Sequence, residues 1–485
     1  MIKRIFLIVI TILVAINLID ALFSSLNQPQ VQNRLQVYQS ELILQASSYQ
    51  TDSSIAKTRD SLLGDNIYGT VQQQYQKALE ETQQNSQILK GQENNQNQVQ
   101  LQQVLSQLDS LDQELKLKLG ILEAYQGDTE TAIATWSSLS NNEIATILTD
   151  LWQENSDYVA TDTDAQKVQA ELSGWFEYIT LTKLYQQTGN ETAIASLAAT
   201  EQEAAKIALI KLGLIALTPF LGVISGILLL VLLLIQWLQQ GKEALLSQQQ
   251  GYRWSVPWGG ETIWQVLIVG FFFVGQFILP FAFSLTGLNP TNASVEIKAV
   301  YVLVSYLSMA FAGLLVLYLS IRPFRPFPEN WFNFSLQDNW ILWGIGGYIA
   351  AFPLVLLVSL LNQQLWQGQG GSNPLILLAL ESQNTIALLI FFSTAAIAAP
   401  IFEEIMFRGF LLTSLTRYLN SWSAILLSGF IFAAVHLSLS EVLPLTVLGI
   451  VLGFVYTRSR NLLSSILLHA LWNSGTLLSL YILGS

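Results

Sequence analysis

Apolar runs of 18 or more residues, separated by short polar loops, make up almost the whole chain from Ile207 onward. A run of this kind is typical of a transmembrane helix, because about 20 apolar residues are needed to cross the hydrocarbon core of a bilayer. The sequence therefore predicts an all-α fold, a polytopic membrane helix bundle with about nine spans. A separate extramembrane α-helical domain precedes most of these spans.

The predicted spans after the N-terminal apolar segment are 207–238, 262–286, 299–321, 339–361, 386–416, 421–440, 442–457 and 461–483. With these spans, most basic loop residues fall on the same side as Lys3 and Arg4, which the positive-inside rule assigns to the cytoplasm. We therefore expect an integral multi-pass membrane protein. Its N-terminus would be cytoplasmic and residues 31–205 would lie outside the cytoplasm.

The N-terminal segment has a short basic start followed by an apolar run, MIKRIFLIVITILVAINLIDALF. Such a segment is either a cleaved signal peptide or a retained membrane anchor. No clear small-residue cleavage pattern follows Asp20. We therefore favour an anchor over residues 1–30.

The region from Val31 to Ala205 has 24 acidic and 9 basic residues and is rich in Gln, Asn, Ser and Thr. Two of its segments resemble each other, ILEAYQGDTETAIATW (121–136) and LTKLYQQTGNETAIASL (181–197). Each has a Tyr, a turn with Gly and an Ala-rich helical start, which is the pattern of tetratricopeptide-like repeats. Two imperfect copies also fit an ordinary helical bundle, and both interpretations stay open.

These patterns divide the chain into four parts: the anchor at 1–30, a soluble acidic helical domain at 31–205, accessory membrane helices at 206–384 and a membrane core at 385–485. The chain has no cysteine, which excludes disulfides and thiol metal ligands. Its formal net charge of −12 argues against a nucleic-acid partner, which would require a basic surface.

Three charged residues lie at membrane depth in the core, in the stretch APIFEEIMFRGF (399–410). A charge near the bilayer centre costs at least ~2.5–3.5 kcal/mol on insertion scales. Glu404 and Arg408 are four residues apart and share a helical face, where an ion pair offsets part of that cost. Glu403 points in another direction. Taken alone, the pair of Glu404 and Arg408 could equally be a structural clasp.

The two histidines of the chain and one asparagine fall near the same depth as these charges. Counting helical rise from the cytoplasmic span ends gives about 21 Å for Glu403, about 22 Å for His436, about 14 Å for His469 and about 20 Å for Asn473. Carboxylates, imidazoles and an amide in a dry site can activate water. The carboxylate takes the proton, an imidazole or a metal orients the water, and hydrogen-bond donors receive the oxyanion.

Three motifs in the core carry a resemblance to a known family. EEIMFR (403–408) fits EExxxR, FAAVH (432–436) fits FxxxH, and HALWN (469–473) fits HxxxN. In this order, on successive membrane helices, they resemble the CPBP family of intramembrane proteases. That family includes the CAAX prenyl endopeptidases and the bacterial Abi, or bacteriocin-processing, proteins. The resemblance covers about a fifth of the chain, residues 385–480, and makes the part at 385–485 a CPBP-type protease core.

The resemblance also implies roles for the motif residues. Glu403 and Glu404 would provide the general base, and Arg408 would brace them. His436 would bind or orient the attacking water. The remaining motif residues, His469 and Asn473, would complete a metal site or the oxyanion hole.

A divalent metal, zinc above all, is the cofactor that the resemblance implies, because the family is usually described as metalloproteases. Glu403, His436 and His469 would be its ligands. Two histidines and one glutamate are an acceptable catalytic zinc set that leaves one position open for water. A metal-free mechanism, in which glutamate and histidine alone activate water, stays open.

These expectations favour an intramembrane metalloendopeptidase. It would hydrolyse a peptide bond of a membrane-embedded or lipid-anchored protein or peptide, and its partners would be that substrate and the lipid bilayer. The alternative is a catalytically inactive membrane scaffold that binds partners through its helical domain. A proton-coupled transporter is a third hypothesis, since buried Glu and His residues also serve proton relays. The membrane half shows no paired broken helices that would favour it.

Overall fold

The computed structural model describes residues 2–26, 31–50, 53–91, 98–139, 141–153, 158–247, 252–287, 290, 293–328, 331–337, 339–366, 369–372 and 384–484. Within these ranges the chain is helical and contains no β-strand, which confirms the predicted all-α class. The chain forms two compact units. The helical unit is Val31–Leu217, and the membrane unit consists of Met1–Gln30 and Thr218–Ser485. The finer four-part division made from the sequence stays a prediction.

The described helices, in chain order, are α1 (Ile2–Ser25), α2 (Val31–Ser47), α3 (Ser53–Leu63), α4 (Ile67–Lys90), α5 (Gln98–Tyr125), α6 (Thr129–Ser137), α7 (Glu143–Trp152), α8 (Asp162–Glu171), α9 (Gly174–Thr188), α10 (Glu191–Gln240), α11 (Gly260–Ser284), α12 (Val295–Phe324), α13 (Trp340–Trp366), α14 (Thr385–Leu415), α15 (Ser421–Ala434), α16 (Leu439–Ser459) and α17 (Leu462–Gly484). The last turn of α12 is a 3₁₀ turn.

The helical unit packs α2, α4 to α9 and the start of α10 around one apolar core. Both segments with the repeated pattern are helix–turn–helix units, α5 with α6 and α9 with α10. Each turn contains a glycine with positive φ, Gly127 at 91° and Gly189 at 63°, a conformation that costs glycine little. The side chain of Asp128 then accepts a hydrogen bond from the Thr131 amide and caps the start of α6. The repeated sequence pattern therefore corresponds to a repeated local structure.

Eight of the described helices are long and apolar enough to cross a membrane. They are α1, α10, α11, α12, α13, α14, α16 and α17. Their positions agree with eight of the predicted spans, and they support an integral membrane protein. The helix that begins at Glu191 starts well before the predicted span at 207, because the Ala- and Glu-rich residues between them favour helix and include no breaker.

The predicted span at 421–440 is wrong in its length. Helix α15 has 14 residues and ends at Ala434, whereas about 20 are needed to cross the hydrocarbon core. The backbone turns there, and Leu437 adopts a positive φ of 58°. His436 therefore lies in a turn after the helix and not on it.

Two glycines let α15 approach α16 closely. A Cβ atom at Gly449 would lie 2.8 Å from the Cα atom of Gly429, closer than side chains pack. A similar approach occurs on the other side of α16, where Gly347 of α13 faces Val455 and the Leu468 side chain of α17. These crossings hold α13, α15, α16 and α17 together, so that polar residues from separate helices can meet inside the bundle.

Candidate active site

Helix α14 carries the first motif and is not a regular α-helix. It alternates between α-helical segments and π-helical segments, and the latter cover Ser393–Ala398 and Ile405–Leu412. Pro400 lies at the start of the short α-helical segment between them. π-helical turns inside α-helices are frequent at functional sites. In α14 they flank Glu403 and Glu404 on both sides.

Glu404 and Arg408 form an ion pair that is closed to solvent. Arg408 Nη1 donates to Glu404 Oε1 at 2.7 Å, and both side chains have 0% exposure. Arg408 Nη2 also donates to the carbonyl oxygen of Gly449, at 3.1 Å. Its guanidinium carbon lies 4.4 Å from the ring centroid of Phe432. The guanidinium thus neutralises Glu404 and joins α14 to α15 and α16.

His469 connects the two glutamates. Its Nδ1 atom lies 2.9 Å from Glu404 Oε1, and its Nε2 atom lies 3.9 Å from Glu403 Oε2. Since the Glu404 oxygen also accepts a hydrogen bond from Arg408, it acts as an acceptor, and we place the His469 proton on Nδ1. The Nε2 atom then faces Glu403.

The carboxylate of Glu403 has two different oxygens. Oε1 accepts a hydrogen bond from the hydroxyl of Tyr306 at 3.0 Å. Oε2 is buried and has no hydrogen-bond partner within the described ranges. The side chain as a whole keeps 15% exposure, in contrast to the closed Glu404. Helical spacing predicted that the two neighbouring glutamates would point in different directions, and their different partners agree with this.

His436 lies next to this cluster without joining its hydrogen bonds. Its Nδ1 atom is 2.8 Å from the carbonyl oxygen of Phe432, and its ring contacts the Phe432 ring at a centroid distance of 5.1 Å. The His469 ring contacts the same phenylalanine at 5.6 Å. Phe432 therefore separates and orients the two imidazoles. Because Nδ1 donates to a carbonyl, the Nε2 atom of neutral His436 is an acceptor.

The turn that holds His436 is fixed by contacts on both sides. Ser438 Oγ donates to the carbonyl oxygens of Gly370 and Gly371, at 3.3 and 3.1 Å. The amide of Leu439 donates to Ser25 Oγ at 3.3 Å. The turn is therefore attached both to the segment that follows α13 and to the end of α1.

Asn473 makes its hydrogen bond at a different place, nearer to the start of α14. Its Nδ2 atom donates to the carbonyl oxygen of Ala395 at 2.7 Å, within the first π-helical segment of α14. It thus fixes the backbone about two turns before Glu403. The described contacts bring Glu403, Glu404, Arg408 and His469 into one hydrogen-bonded or ion-paired cluster. His436 and Asn473 lie at its borders.

Tyr306 was not among the residues singled out from the sequence. It belongs to α12, almost 100 residues before Glu403, and no motif connects the two. Counting helical rise from the cytoplasmic end of its span would have placed Tyr306 at a similar depth to Glu403. Tyr306 is 16 residues before Arg322, which corresponds to about 24 Å of rise. That is close to the depth counted for Glu403.

The three expected metal ligands fit a metal only in part. Glu403 Oε2 is a buried carboxylate oxygen without a partner in the described chain, and His469 Nε2 lies near it. His436 has an unprotonated Nε2 when neutral. As placed, however, no group of three His, Asp or Glu side chains among the described residues converges to hold one ion. The arrangement is therefore a pair of donors with a third nearby, and not a complete set of ligands.

Comparisons with known proteins address the same region. Residues 385–475 match the family model described as "Type II CAAX prenyl endopeptidase Rce1-like". The chain is 28% identical to the protein named "Putative membrane peptidase YdiL" of Bacillus subtilis (strain 168), over 210 residues, which are 40% of this chain and 78% of that protein.

It is also 33% identical to the UPF0177 protein YxdF of Lactococcus lactis subsp. lactis (strain IL1403), over 75 residues, 15% of this chain and 41% of that protein. No solved structure matches the chain. The resemblance seen in the three motifs is thereby confirmed: residues 385–475 of this integral membrane protein match the Rce1-like family model, and the chain is similar to a protein named as a membrane peptidase.

Proposed function

We propose that this protein is an intramembrane endopeptidase. It hydrolyses a peptide bond in a protein or peptide that is embedded in the bilayer or attached to it by a lipid. One observation carries the proposal: Glu403 Oε2 is a buried, unpartnered carboxylate oxygen that faces an imidazole nitrogen inside an Rce1-like domain. The match to a protein named as a membrane peptidase supports the same reaction class.

Glu403 is the general base of this mechanism. Its Oε2 takes a proton from a water molecule, whose oxygen attacks the carbonyl carbon of the scissile bond. His469 Nε2, on the same side of the site, orients this water by a hydrogen bond. When the carbon–nitrogen bond breaks, the proton on Glu403 passes to the leaving amine. The carboxylate is thereby regenerated and one water molecule is consumed per bond cleaved.

Glu404 holds the site together and is not a second base. Its Oε1 oxygen already accepts from Arg408 Nη1 and His469 Nδ1. Its charge is compensated by the buried guanidinium and its side chain is closed to solvent, whereas Glu403 keeps 15% exposure. Glu404 accepts a hydrogen bond from His469 Nδ1 and so orients the His469 ring with Nε2 toward Glu403. The resemblance implied that both glutamates provide the general base, and we assign that role to Glu403 alone.

His436 accepts a hydrogen bond through Nε2 and orients either the water or the substrate amide. It is not an oxyanion donor while it is neutral, because its proton is on Nδ1. Asn473 keeps one N–H group and its carbonyl oxygen for the substrate, since its other N–H donates to Ala395. We assign it to the oxyanion hole, as the resemblance implies.

A divalent metal is a separate proposal for the same site. Glu403, His436 and His469 would hold it once His436 comes closer to the other two. It would supply a Lewis acid that lowers the pKa of a bound water. The proton transfers assigned above to Glu403 do not depend on it.

The location of the protein supports a membrane substrate. The polar cluster lies within helices that are long and apolar enough to span a bilayer, so a soluble chain would not readily reach it. We further propose that the N-terminus is cytoplasmic and that residues 31–205 lie outside the cytoplasm, where they recruit or gate substrates. The relatives from Bacillus subtilis and Lactococcus lactis are bacterial proteins, and we propose a bacterial cell membrane as the location.

The test uses full-length protein reconstituted in liposomes with a panel of internally quenched reporters. The panel contains single apolar helices, acylated peptides and peptides with a farnesylated cysteine. We expect the wild type to cleave at least one reporter class and Glu403→Gln to abolish that cleavage while it inserts normally. Glu261→Gln is the matched control, because Glu261 is an exposed carboxylate that pairs with Arg4. A wild type that cleaves no reporter would favour the inactive scaffold instead. A Glu403→Gln variant that still cleaves would refute the mechanism in which Glu403 is the general base.

A further inference from the structure

The two oxygens of the proposed base are distinguished by a residue outside the Rce1-like domain. Tyr306 belongs to α12, whereas the family match begins at residue 385. Its hydroxyl donates to Glu403 Oε1 at 3.0 Å. The other oxygen, Oε2, is the one that faces His469 Nε2. A carboxylate can rotate about its last bond, and a hydrogen bond to one oxygen fixes that rotation and keeps the other oxygen directed at the imidazole.

The tyrosine ring is itself held in place by packing. It contacts the ring of Phe402, the residue before Glu403, edge-on, with a centroid distance of 6.2 Å and an interplanar angle of 86°. Phe402 is 2% exposed and stacks on Phe271 of α11 at 5.9 Å. A Cβ atom at Gly313 of α12 would approach Phe402 to 3.1 Å, so the glycine leaves room for this ring. Three helices thus fix the direction of the Tyr306 hydroxyl.

We propose that Tyr306 is a positioning residue for Glu403. Its hydroxyl holds Oε1 so that Oε2 is directed at His469 Nε2 and at the water that lies between them during the reaction. This inference rests on the proposed function, because it needs Glu403 to act as the base. It adds that the helices before the Rce1-like domain supply part of the active site.

The geometry separates a positioning role from a catalytic one. Tyr306 contacts one oxygen of the base and a neighbouring ring, and its only described hydrogen bond goes to Glu403. It therefore acts on the reaction through the carboxylate. Loss of its hydroxyl leaves the carboxylate free to rotate, so that in a fraction of molecules neither oxygen is directed at His469 Nε2. Such a change lowers kcat and leaves the binding of substrate unchanged.

The test compares Tyr306→Phe with wild type in liposomes, using a reporter that the wild type cleaves. Tyr306→Phe keeps the ring and its contact with Phe402. We expect kcat to fall by ~10-fold to ~100-fold, the range found when a residue that orients a ligand or base is lost, with KM unchanged. Tyr301→Phe is the matched control, because Tyr301 is on the same helix and contacts Phe283 instead. It should keep the wild-type kcat.

A double-mutant cycle distinguishes positioning from a general structural role. In the Glu403→Asp background the shorter carboxylate no longer reaches the tyrosine hydroxyl, so Tyr306→Phe should cause little further loss of kcat. Equal losses in both backgrounds, a wild-type kcat for Tyr306→Phe, or a loss that follows a lowered thermal unfolding temperature would each overturn the proposal. If Glu403→Gln still cleaves, the proposed function itself fails. If Glu403→Gln is inactive and Tyr306→Phe is fully active, only the positioning role fails.

Discussion

Arg408 Nη1 donates to Glu404 Oε1 at 2.7 Å in a part of the membrane unit where neither side chain meets solvent. The two residues are one helical turn apart on α14. Removing one partner leaves the other charge buried without compensation, which typically costs ~3–5 kcal/mol. Breaking the pair should therefore destabilise the folded protein, and this destabilisation can be measured without a substrate.

Arg408→Met should strongly lower the thermal unfolding temperature of the detergent-solubilised protein, because it leaves the carboxylate of Glu404 buried without its cationic partner. Arg4→Met is the matched control, since Arg4 pairs with Glu261 at an exposed position, where a pair contributes about 0–1 kcal/mol. The measurement is a thermal melt followed by tryptophan fluorescence. Equal shifts for the two variants would contradict a buried, closed pair.

The close crossing of α15 and α16 makes a second prediction. Gly449→Ala should impair both folding and cleavage, because the added Cβ would meet the backbone of Gly429 at 2.8 Å. Overpacking of this kind costs typically ~1–3 kcal/mol. The change would also move the Gly449 carbonyl that accepts from Arg408. Gly346→Ala is the control, because a Cβ there meets no atom within 4 Å. Monodispersity on size exclusion and reporter cleavage are the readouts.

Metal analysis tests the cofactor proposal. If Glu403, His436 and His469 hold a divalent ion, purified wild type should carry it at close to one equivalent, and His436→Ala and His469→Ala should both lose it. Elemental analysis by mass spectrometry after gel filtration measures this. A wild type that cleaves a reporter with no bound metal, or an ion retained by both variants, would refute the proposed ligand set.

A fourth prediction concerns the helical unit and its dependence on pH. Burial raises the pKa of Glu123, and the nearby Asp128 adds to the rise, while a hydrogen bond from Thr135 partly opposes it. A carboxyl group with a raised pKa favours the folded state when protonated. Its contribution is fully present below the pKa of the unfolded chain and is lost as pH rises through the pKa of the folded chain.

Glu123→Gln should therefore make the helical unit more stable than wild type at pH 7, and the difference should shrink toward pH 4. The full-length chain has no cysteine, so a dye on Gln186→Cys, an exposed position in this unit, can report its unfolding by urea. Glu191→Gln, an exposed carboxylate at the start of α10, is the control. A stability difference that grows toward pH 4 would contradict a raised pKa for Glu123.

The spans were predictable because their signal is local. The helix Val295–Ile321, for example, is predominantly apolar from Ala299 onward, so its apolar character is evident without knowledge of the rest of the chain. The end of α15 was not predictable in this way. Positive φ at Leu437 leaves no mark on hydrophobic periodicity. The composition of α14 also gives no indication of its π-helical segments, because a change of hydrogen-bond register needs no special residue.

Part of the candidate site was predictable for a similar reason. The spacing of Glu404 and Arg408 on one face follows from helix geometry, and the structure contains their pair. The contact between Tyr306 and Glu403 depends on how two distant helices pack, which one sequence does not define. The placing of His436 beside Phe432, outside the cluster of Glu403 and His469, depends on the same packing. The catalytic and metal roles of these residues stay predictions.

The ring of Phe432 is a spacer shared by two imidazoles and a guanidinium, since His436, His469 and Arg408 all lie against it. The distance between the histidines is thereby tied to the dimensions of one side chain. A smaller residue at this position would change the packing of both imidazoles and of the Arg408 guanidinium at the same time. A substitution of Phe432 would therefore move both histidines together, and a relative with another residue at this position would need a different arrangement of the whole candidate site.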